Sequence, residues 1–224
     1  VSTAGKVEVT ALGSSQNFTT TPGTVTTIEL PDGKNAGDPT VELNFSNNRV
    51  ERVVSGMAVH ITSDDDIAVY GINHKQYSSD AFMTLPVDVL GKTYRTLNYQ
   101  TSLPNGGSGN PGVTPGEFWI VGVTDSTNIT ITPKASTRNG TPAGTIMKQL
   151  IYKGDVFLVQ GDPDDSKNDL TGSLIEADQP IAVFSGHVRT EIPQGFKNLN
   201  STGQTSRDHL VEMMPPVTTW GYSA

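Results

Sequence analysis

The chain has 224 residues, a formal net charge of −8 and no cysteine. With this charge, a sequence pI near 4.9 and no basic stripe, nucleic acid is excluded as a partner class and docking on anionic lipid is disfavoured. Because no apolar run approaches the ~18 residues of a membrane span, no membrane insertion is expected.

Composition indicates a β-rich, exported protein. Hydrophobic residues make up 34% and aromatic residues 7%, and Thr, Ser, Asn, Gly and Pro fill the difference. That mixture is typical of many short strands joined by turns. Without cysteine, stability has to come from packing and strand pairing, as in many bacterial surface domains. We expect a mature or excised segment of a longer, secreted or cell-surface protein.

Two hydrophobic patterns predict the strands in chain order. Polar and apolar residues alternate at 6–12, 41–45 and 128–132, which predicts strands with one face on a core and one in water. Continuous apolar runs predict central strands covered on both faces, and they lie at 67–70, 118–123, 156–159 and 181–184. The predicted core residues are Ile67, Val69, Tyr70, Ile120, Val121, Ile181, Val183 and Phe184.

The chain repeats itself internally. Residues 61–70 return as 175–184, residues 17–22 as 128–133, and residues 80–86, one residue longer, as 208–215. A long internal period indicates a duplicated structural unit. We therefore predict an all-β fold of two tandem β-sandwich-like repeats of about 110 residues, which can share edge strands. The predicted units are 1–103 and 117–224, joined by a Gly/Pro-rich loop at 104–116, and a second loop is predicted at 193–207.

Several blocks resemble the IgGFc-binding protein N-terminal domain family over roughly residues 55 to 224. They are 61–64, 69–73, 79–94, 169–173, 180–187 and 208–221. The last block is the most specific, because it joins Asp-His-Leu-Val-Glu to Pro-Pro and Trp-Gly. The resemblance implies an extracellular β-rich module of a large secreted or surface protein, here a cysteine-free bacterial relative with Arg207 where a cysteine is expected. The family is named for an animal mucus glycoprotein reported to bind the Fc part of immunoglobulin G.

Imidazole and carboxylate groups form a candidate zinc-like site. Its members are His187, Asp208, His209 and Glu212. Of these four, the first repeat shares only the aspartate, as Asp80. The alternative is therefore a structural role, in which the aspartate holds a turn or caps a backbone amide.

An acidic run forms a candidate calcium site. Its carboxylates are those of Asp162, Asp164, Asp165 and Asp169. The run lacks the glycine and terminal glutamate of an EF-hand loop and contains Lys167, so a solvated turn is the alternative. No other cofactor is expected.

The motifs of nucleophilic catalysis are missing from the sequence. There is no Gly-x-Ser-x-Gly elbow and no cysteine, although paired carboxylates leave a carbohydrate-active or metal-dependent hydrolase open. The leading hypothesis is a non-enzymatic extracellular binding or adhesion module whose ligand is a protein or glycoprotein. A self-associating subunit of a filament, sheath or surface layer is the alternative.

Overall fold

A computed structural model describes residues 1–31, 51–75, 78–102, 114–193 and 207–221. In these ranges the regular structure is β-strand with three-residue 3-10 turns, which confirms the all-β prediction. No described helix has the length and apolar character needed to cross a bilayer. The strands are β1 (Ala4–Val9), β2 (Ser14–Thr19), β3 (Arg52–Val54), β4 (His60–Ser63), β5 (Tyr70–Lys75), β6 (Ser78–Met83), β7 (Gly91–Arg95), β8 (Gly116–Gly122), β9 (Thr127–Thr132), β10 (Met147–Ile151), β11 (Val156–Gln160), β12 (Leu174–Thr190) and β13 (Asp208–Met213).

The long strand β12 organises the large sheet. Strands follow one another in the order β10-β9-β12-β8-β11-β3, and β7 and β13 also pair with β12. The first part of β12 lies between β9 and β7, and its later part lies between β8 and β13. A register shift between Glu176 and Ile181 separates the two parts. One continuous strand therefore connects two sets of neighbours.

Apolar side chains cover both faces of the strands at the centre of this sheet. Alternate residues of β8 enter different clusters: Phe118 and Ile120 join the main core, whereas Trp119 joins a second cluster on the other face. The same alternation occurs in β11, whose five residues are all buried. The predicted central strands at 118–123, 156–159 and 181–184 are thus confirmed. Each large apolar side chain buried there contributes roughly 1.5–3 kcal/mol.

The amino-terminal part of the chain forms two smaller sheets. Strands pair in the order β2-β1-β4 in one, and β5 pairs with β6 in a hairpin. The second strand of this hairpin lies against β13 of the large sheet. Ring contacts seal the junction, because Phe82 meets Phe184 edge to face with centroids 5.2 Å apart.

One strand pair in the first half has the same register as one strand pair in the later half. Tyr70 faces Met83 across β5 and β6, as Phe184 faces Met213 across β12 and β13. Just beyond these pairs, the Thr84 amide donates to the Val69 carbonyl, as the Met214 amide donates to the Val183 carbonyl. The hairpin β5–β6 therefore corresponds to the later part of β12 with β13.

One predicted equivalence matches the wrong strands. The match of 17–22 with 128–133 would make β2 the counterpart of β9. In the structure, Val7 of β1 faces Ile61 as Ile131 of β9 faces Ile175, so β1 corresponds to β9. The error arises because 17–22 and 128–133 share an Asn-x-Thr start, a further Thr and a closing Pro, whereas pairing depends on the neighbouring strand.

Two strands of the first predicted unit join the sheet of the second. β3 and β7 both come from before residue 103, yet they pair with β11 and β12 of the later half. A division of the described residues into two separate sandwiches is not observed, because the large sheet draws on both halves. The loops predicted at 104–116 and 193–207 lie mostly outside the described residues.

The apolar run at 67–70 is not the buried central strand that the sequence predicts. β5 begins only at Tyr70, and that side chain is 65% exposed. Ile67 and Val69 are half-buried. In the later half, strand β8 pairs with β12 and its residues help to bury Ile181 and Val183, whereas no described strand pairs with the corresponding edge in the first half.

Candidate functional site, a polar sheet end and an exposed hairpin

His187 of the proposed zinc set is a buried structural residue. It lies near the end of β12, where Arg189 donates its backbone N–H to Nδ1 and Nε2 lies 3.1 Å from the Gln100 carbonyl oxygen. These two contacts define a neutral ring that carries its proton on Nε2. The pKa of His187 is lowered to about 4, mainly by burial and in part by the nearby Arg207, against the opposing effect of the Gln100 carbonyl. Both ring nitrogens are therefore engaged with the backbone.

The other three members of the zinc set are oriented differently. His209 is buried, with Nδ1 3.3 Å from the Val188 carbonyl oxygen. The carboxylate of Asp208 accepts the backbone N–H of Ser79 at 2.7 Å, and Glu212 is exposed. Across the described ranges, no three His, Asp or Glu side chains are grouped so that they could hold a metal ion. The geometry gives the zinc hypothesis no support.

The proposed calcium ligands hold the turns of their own loop. One oxygen of Asp162 accepts the N–H of Asp164, and one oxygen of Asp165 accepts that of Lys167, each at 2.9 Å. Asp169 does the same for Thr171 at 2.8 Å. Asp164 is exposed. These contacts match the alternative of a solvated acidic turn, because each aspartate engages the residue two positions later.

A buried polar chain crosses one end of the large sheet, and the sequence did not indicate it. Gln160 donates from Nε2 to the Glu117 carboxylate at 2.7 Å, and Arg138 donates from Nη1 to the Gln160 side-chain oxygen at 2.9 Å. Burial lowers the pKa of the Arg138 guanidinium, and the charge of Glu117 acts in the opposite direction. A usable signal existed: Glu117 and Gln160 end two apolar runs that pair antiparallel, so these residues meet.

Two of these three side chains are closed to solvent, and Arg138 is half-buried. Glu117 is 0% exposed and Gln160 is 1% exposed, so no substrate reaches them in this conformation. Arg207, where the family resemblance led us to expect a cysteine, is also buried. Its Nη1 lies 3.5 Å from Ser102 Oγ and 3.4 Å from Thr114 Oγ1. The buried polar side chains at this end of the sheet therefore have a structural role, and we call them the polar plug.

The outer face of the hairpin β5–β6 has the opposite character, because it is apolar and open. Its side chains alternate along both strands, and we call them the hairpin face: Tyr70, Ile72, Ala81 and Met83. Ile72 is 71% exposed and Met83 51%. Isolated exposed apolar side chains are normal on protein surfaces, whereas here four of them lie together on one sheet face.

The corresponding face in the later half is buried. Phe184 and Met213 occupy the places of Tyr70 and Met83, and Val211 occupies that of Ala81. Met213 and Val211 are each only 6% exposed. Trp119 covers Phe184 with parallel rings 5.6 Å apart. The same position in the fold is thus a core in one half and a surface in the other.

These features define a disulfide-free, all-β module with a sealed polar end and an open apolar hairpin. A family model described as IgGFc binding protein matches residues 80–223. The chain is also 30% identical over 167 residues to the human protein named IgGFc-binding protein. The aligned region covers 73% of this chain and 3% of the human protein. No solved structure matches the chain.

The chain therefore belongs to the IgGFc-binding protein family, as the sequence predicted. It spans about 3% of the length of the human relative. The matched region runs from β6 to just beyond β13, so it includes most of the large sheet and the polar plug.

Proposed function

We propose that this chain is a non-enzymatic binding module of an extracellular or cell-surface protein, and that its ligand is a protein or glycoprotein. Family membership supports a binding role, since the human relative carries the name IgGFc-binding protein. The observation that carries the proposal is the open hairpin face. Two large apolar side chains, Tyr70 and Ile72, are exposed at positions whose counterparts in the later half belong to the buried part of the fold.

A ligand bound at this face would bury apolar area that folding leaves in water. Protein interfaces are enriched in exposed Tyr and Met side chains of this kind, and such residues often dominate the binding energy. The net charge of −8 favours neutral or basic ligands over acidic ones, because like charges slow association.

The test is a pulldown with the purified chain from native secretions and cell envelope, run beside a defined probe, the Fc fragment of immunoglobulin G. Tyr70→Lys replaces one exposed apolar side chain of the hairpin face. Val25→Lys is the matched control, because Val25 is 91% exposed outside this face. We expect a protein ligand that the wild type and Val25→Lys retain and Tyr70→Lys loses. Equal retention by all three chains, or no ligand at all, would contradict the proposal.

A self-assembling structural subunit is the second candidate, and unpaired strand edges favour it. Among the described residues, β4 pairs only with β1, and β5 pairs only with β6. Exposed edges are templates for pairing with another chain. Sedimentation velocity across a wide concentration range tests this candidate, because a filament or layer subunit grows in size with concentration and a monomeric module does not.

A further inference from the structure

The two halves of the chain differ in what lies beside their corresponding strands. In the later half, β12 has β13 on one side and β8 on the other. In the first half, β5 has β6 on the side that corresponds to β13. No strand in the described ranges pairs with the other edge of β5. Its outer edge is therefore the counterpart of an edge that is filled elsewhere in the same molecule.

The filled edge shows what chemistry such a position accepts. β8 runs antiparallel to β12, and Trp119 stands directly opposite Phe184, which is the counterpart of Tyr70. The indole of Trp119 stacks on the Phe184 ring, and Trp119 is only 7% exposed. An incoming strand therefore supplies backbone hydrogen bonds along its length and a large flat side chain over the aromatic ring.

The edge of β5 offers the same two contributions. Its backbone groups on the outer side face no described strand, and Tyr70 and Ile72 present exposed apolar surface on one face. Strand addition at a free edge takes affinity from main-chain hydrogen bonds and specificity from alternate side chains. Two alternate apolar positions on β5 call for two on the partner.

We propose that the outer edge of β5 is an acceptor site for an extended segment of a partner protein, which adds as an antiparallel strand with an aromatic side chain opposite Tyr70. The partner segment is neutral or basic and apolar at alternate positions. This inference rests on the proposed function and specifies its mode of binding. Its occupant is a segment of another protein, and a second copy of this chain is an outcome that the test separates.

The probe is a synthetic, fluorescently labelled peptide that carries the β8 sequence Gly-Glu-Phe-Trp-Ile-Val-Gly between solubilising lysines. Fluorescence anisotropy measures its binding to the full chain, with a scrambled peptide as the reference. We expect saturable binding of the β8 peptide, at least tenfold weaker binding to Ile72→Lys, and unchanged binding to Val25→Lys. Because Ile72 is largely exposed, circular dichroism of Ile72→Lys is expected to show the wild-type melting temperature.

A second arm alters the peptide and leaves the chain intact. N-methylation of alternate backbone amides removes the donors of one peptide edge and keeps every side chain. Strand addition uses one edge of the peptide, so methylation of that edge should abolish binding. Binding that persists in both peptides, each methylated along a different edge, would overturn strand addition. No binding of the β8 peptide, or binding that Ile72→Lys leaves unchanged, would also overturn it, and the latter result would indicate exchange with β8 on β12.

Sedimentation of the chain alone completes the design. Self-association that Ile72→Lys abolishes would make a second copy the occupant and overturn the proposal of a separate partner. If the pulldown retains a ligand through Tyr70 that the β8 peptide cannot displace, the proposed function stands and strand addition fails. If the pulldown retains no ligand through Tyr70 and the β8 peptide does not bind, both the proposed function and strand addition are rejected.

Discussion

Asp80 and Asp208 hold each other's strands. The Asp80 carboxylate accepts the Val211 N–H of β13 at 2.7 Å, and the Asp208 carboxylate accepts the Ser79 N–H of β6 at 2.7 Å. Each also accepts the N–H of the residue that follows it. The two aspartates that the sequence repeat aligns therefore form a reciprocal bridge between the halves.

Removing this bridge is expected to destabilise the junction of the two hairpins. Asp80→Ala leaves the Val211 amide without its acceptor, so we expect a loss of about 1 kcal/mol in the free energy of unfolding. Asp80→Asn keeps an acceptor oxygen and should lose less. Urea unfolding measures both, with the exposed Asp66→Ala as control.

The double variant tests whether the bridge acts as a unit. Because both aspartates secure the same pair of strands, Asp80→Ala combined with Asp208→Ala should lose less than the sum of the single losses, by roughly 0.5 kcal/mol or more. Strict additivity would show that the two contacts are independent.

Ile181 is expected to be a major source of stability. Its side chain is fully buried in the main core, so Ile181→Ala should cost about 2–5 kcal/mol by leaving a cavity, and Val183→Asp should prevent folding. Ile146→Ala, at a side chain that is 61% exposed, should stay within about 0.5 kcal/mol of the wild type. Thermal unfolding checks all three. A wild-type melting temperature for Ile181→Ala would refute the core assignment.

The Tyr94 hydroxyl is expected to stabilise the contact between β7 and β12. It donates to the Ile181 carbonyl at 2.7 Å and accepts the Gly91 N–H at 2.9 Å, inside a buried site that raises the pKa of Tyr94. Tyr94→Phe should cost about 1–3 kcal/mol, because it leaves two backbone groups unsatisfied. Tyr152→Phe, at an exposed ring, is the matched control in denaturant titrations.

Acid should destabilise the fold through His187. Its pKa is about 4 when folded and near the ordinary 6.5 when unfolded, so the unfolded chain takes up the proton first. The stability that the neutral ring contributes is complete above pH 6.5 and is lost as the pH falls to 4, a loss of about 3 kcal/mol. A protonated Nδ1 could not accept the Arg189 N–H.

The check is the pH dependence of the free energy of unfolding between pH 7 and pH 4. His187→Gln should remove this component, whereas His74→Gln, at an exposed position, should retain it. Parallel curves for wild type and His187→Gln would show that His187 titrates normally in the folded chain.

Calcium and zinc are expected to leave the fold unchanged. Asp162, Asp165 and Asp169 are engaged in their own turns, and the rings of His187 and His209 face backbone carbonyls. Differential scanning calorimetry with each ion at millimolar concentration should give the melting temperature found with a chelator. A rise would restore the metal hypotheses, and Asp169→Ala would then locate a calcium site.

The sequence identified the elements whose signal is local. β8, β11 and the later part of β12 are continuous apolar runs, and two-sided burial of a strand demands such a composition. Alternation likewise indicated β9, whose residues alternate between buried and more exposed. The family blocks indicated the correct family because they are specific residue strings, which are more distinctive than a hydrophobic pattern.

What the sequence could not predict depends on distant neighbours. Two four-residue segments are almost identical in sequence, Ile67-Ala68-Val69-Tyr70 and Ile181-Ala182-Val183-Phe184. Only the second is a buried strand. The burial differs because strand β8 pairs with the second segment, and β8 lies outside both segments in the sequence. The sequence pattern of His187 and His209 resembles that of metal ligands, but one ring nitrogen of each lies against a backbone carbonyl that only the three-dimensional pairing supplies.

The attachment of β7 to β12 also governs when the chain can mature during synthesis. Tyr94 meets Ile181, a partner 87 positions later, so β7 emerges long before its neighbour exists. Pairing over such sequence distances raises contact order and slows folding, and nascent strand edges stay vulnerable to aggregation while they wait. Cutting the chain between these two strands is therefore expected to remove one neighbour of β12 from the large sheet.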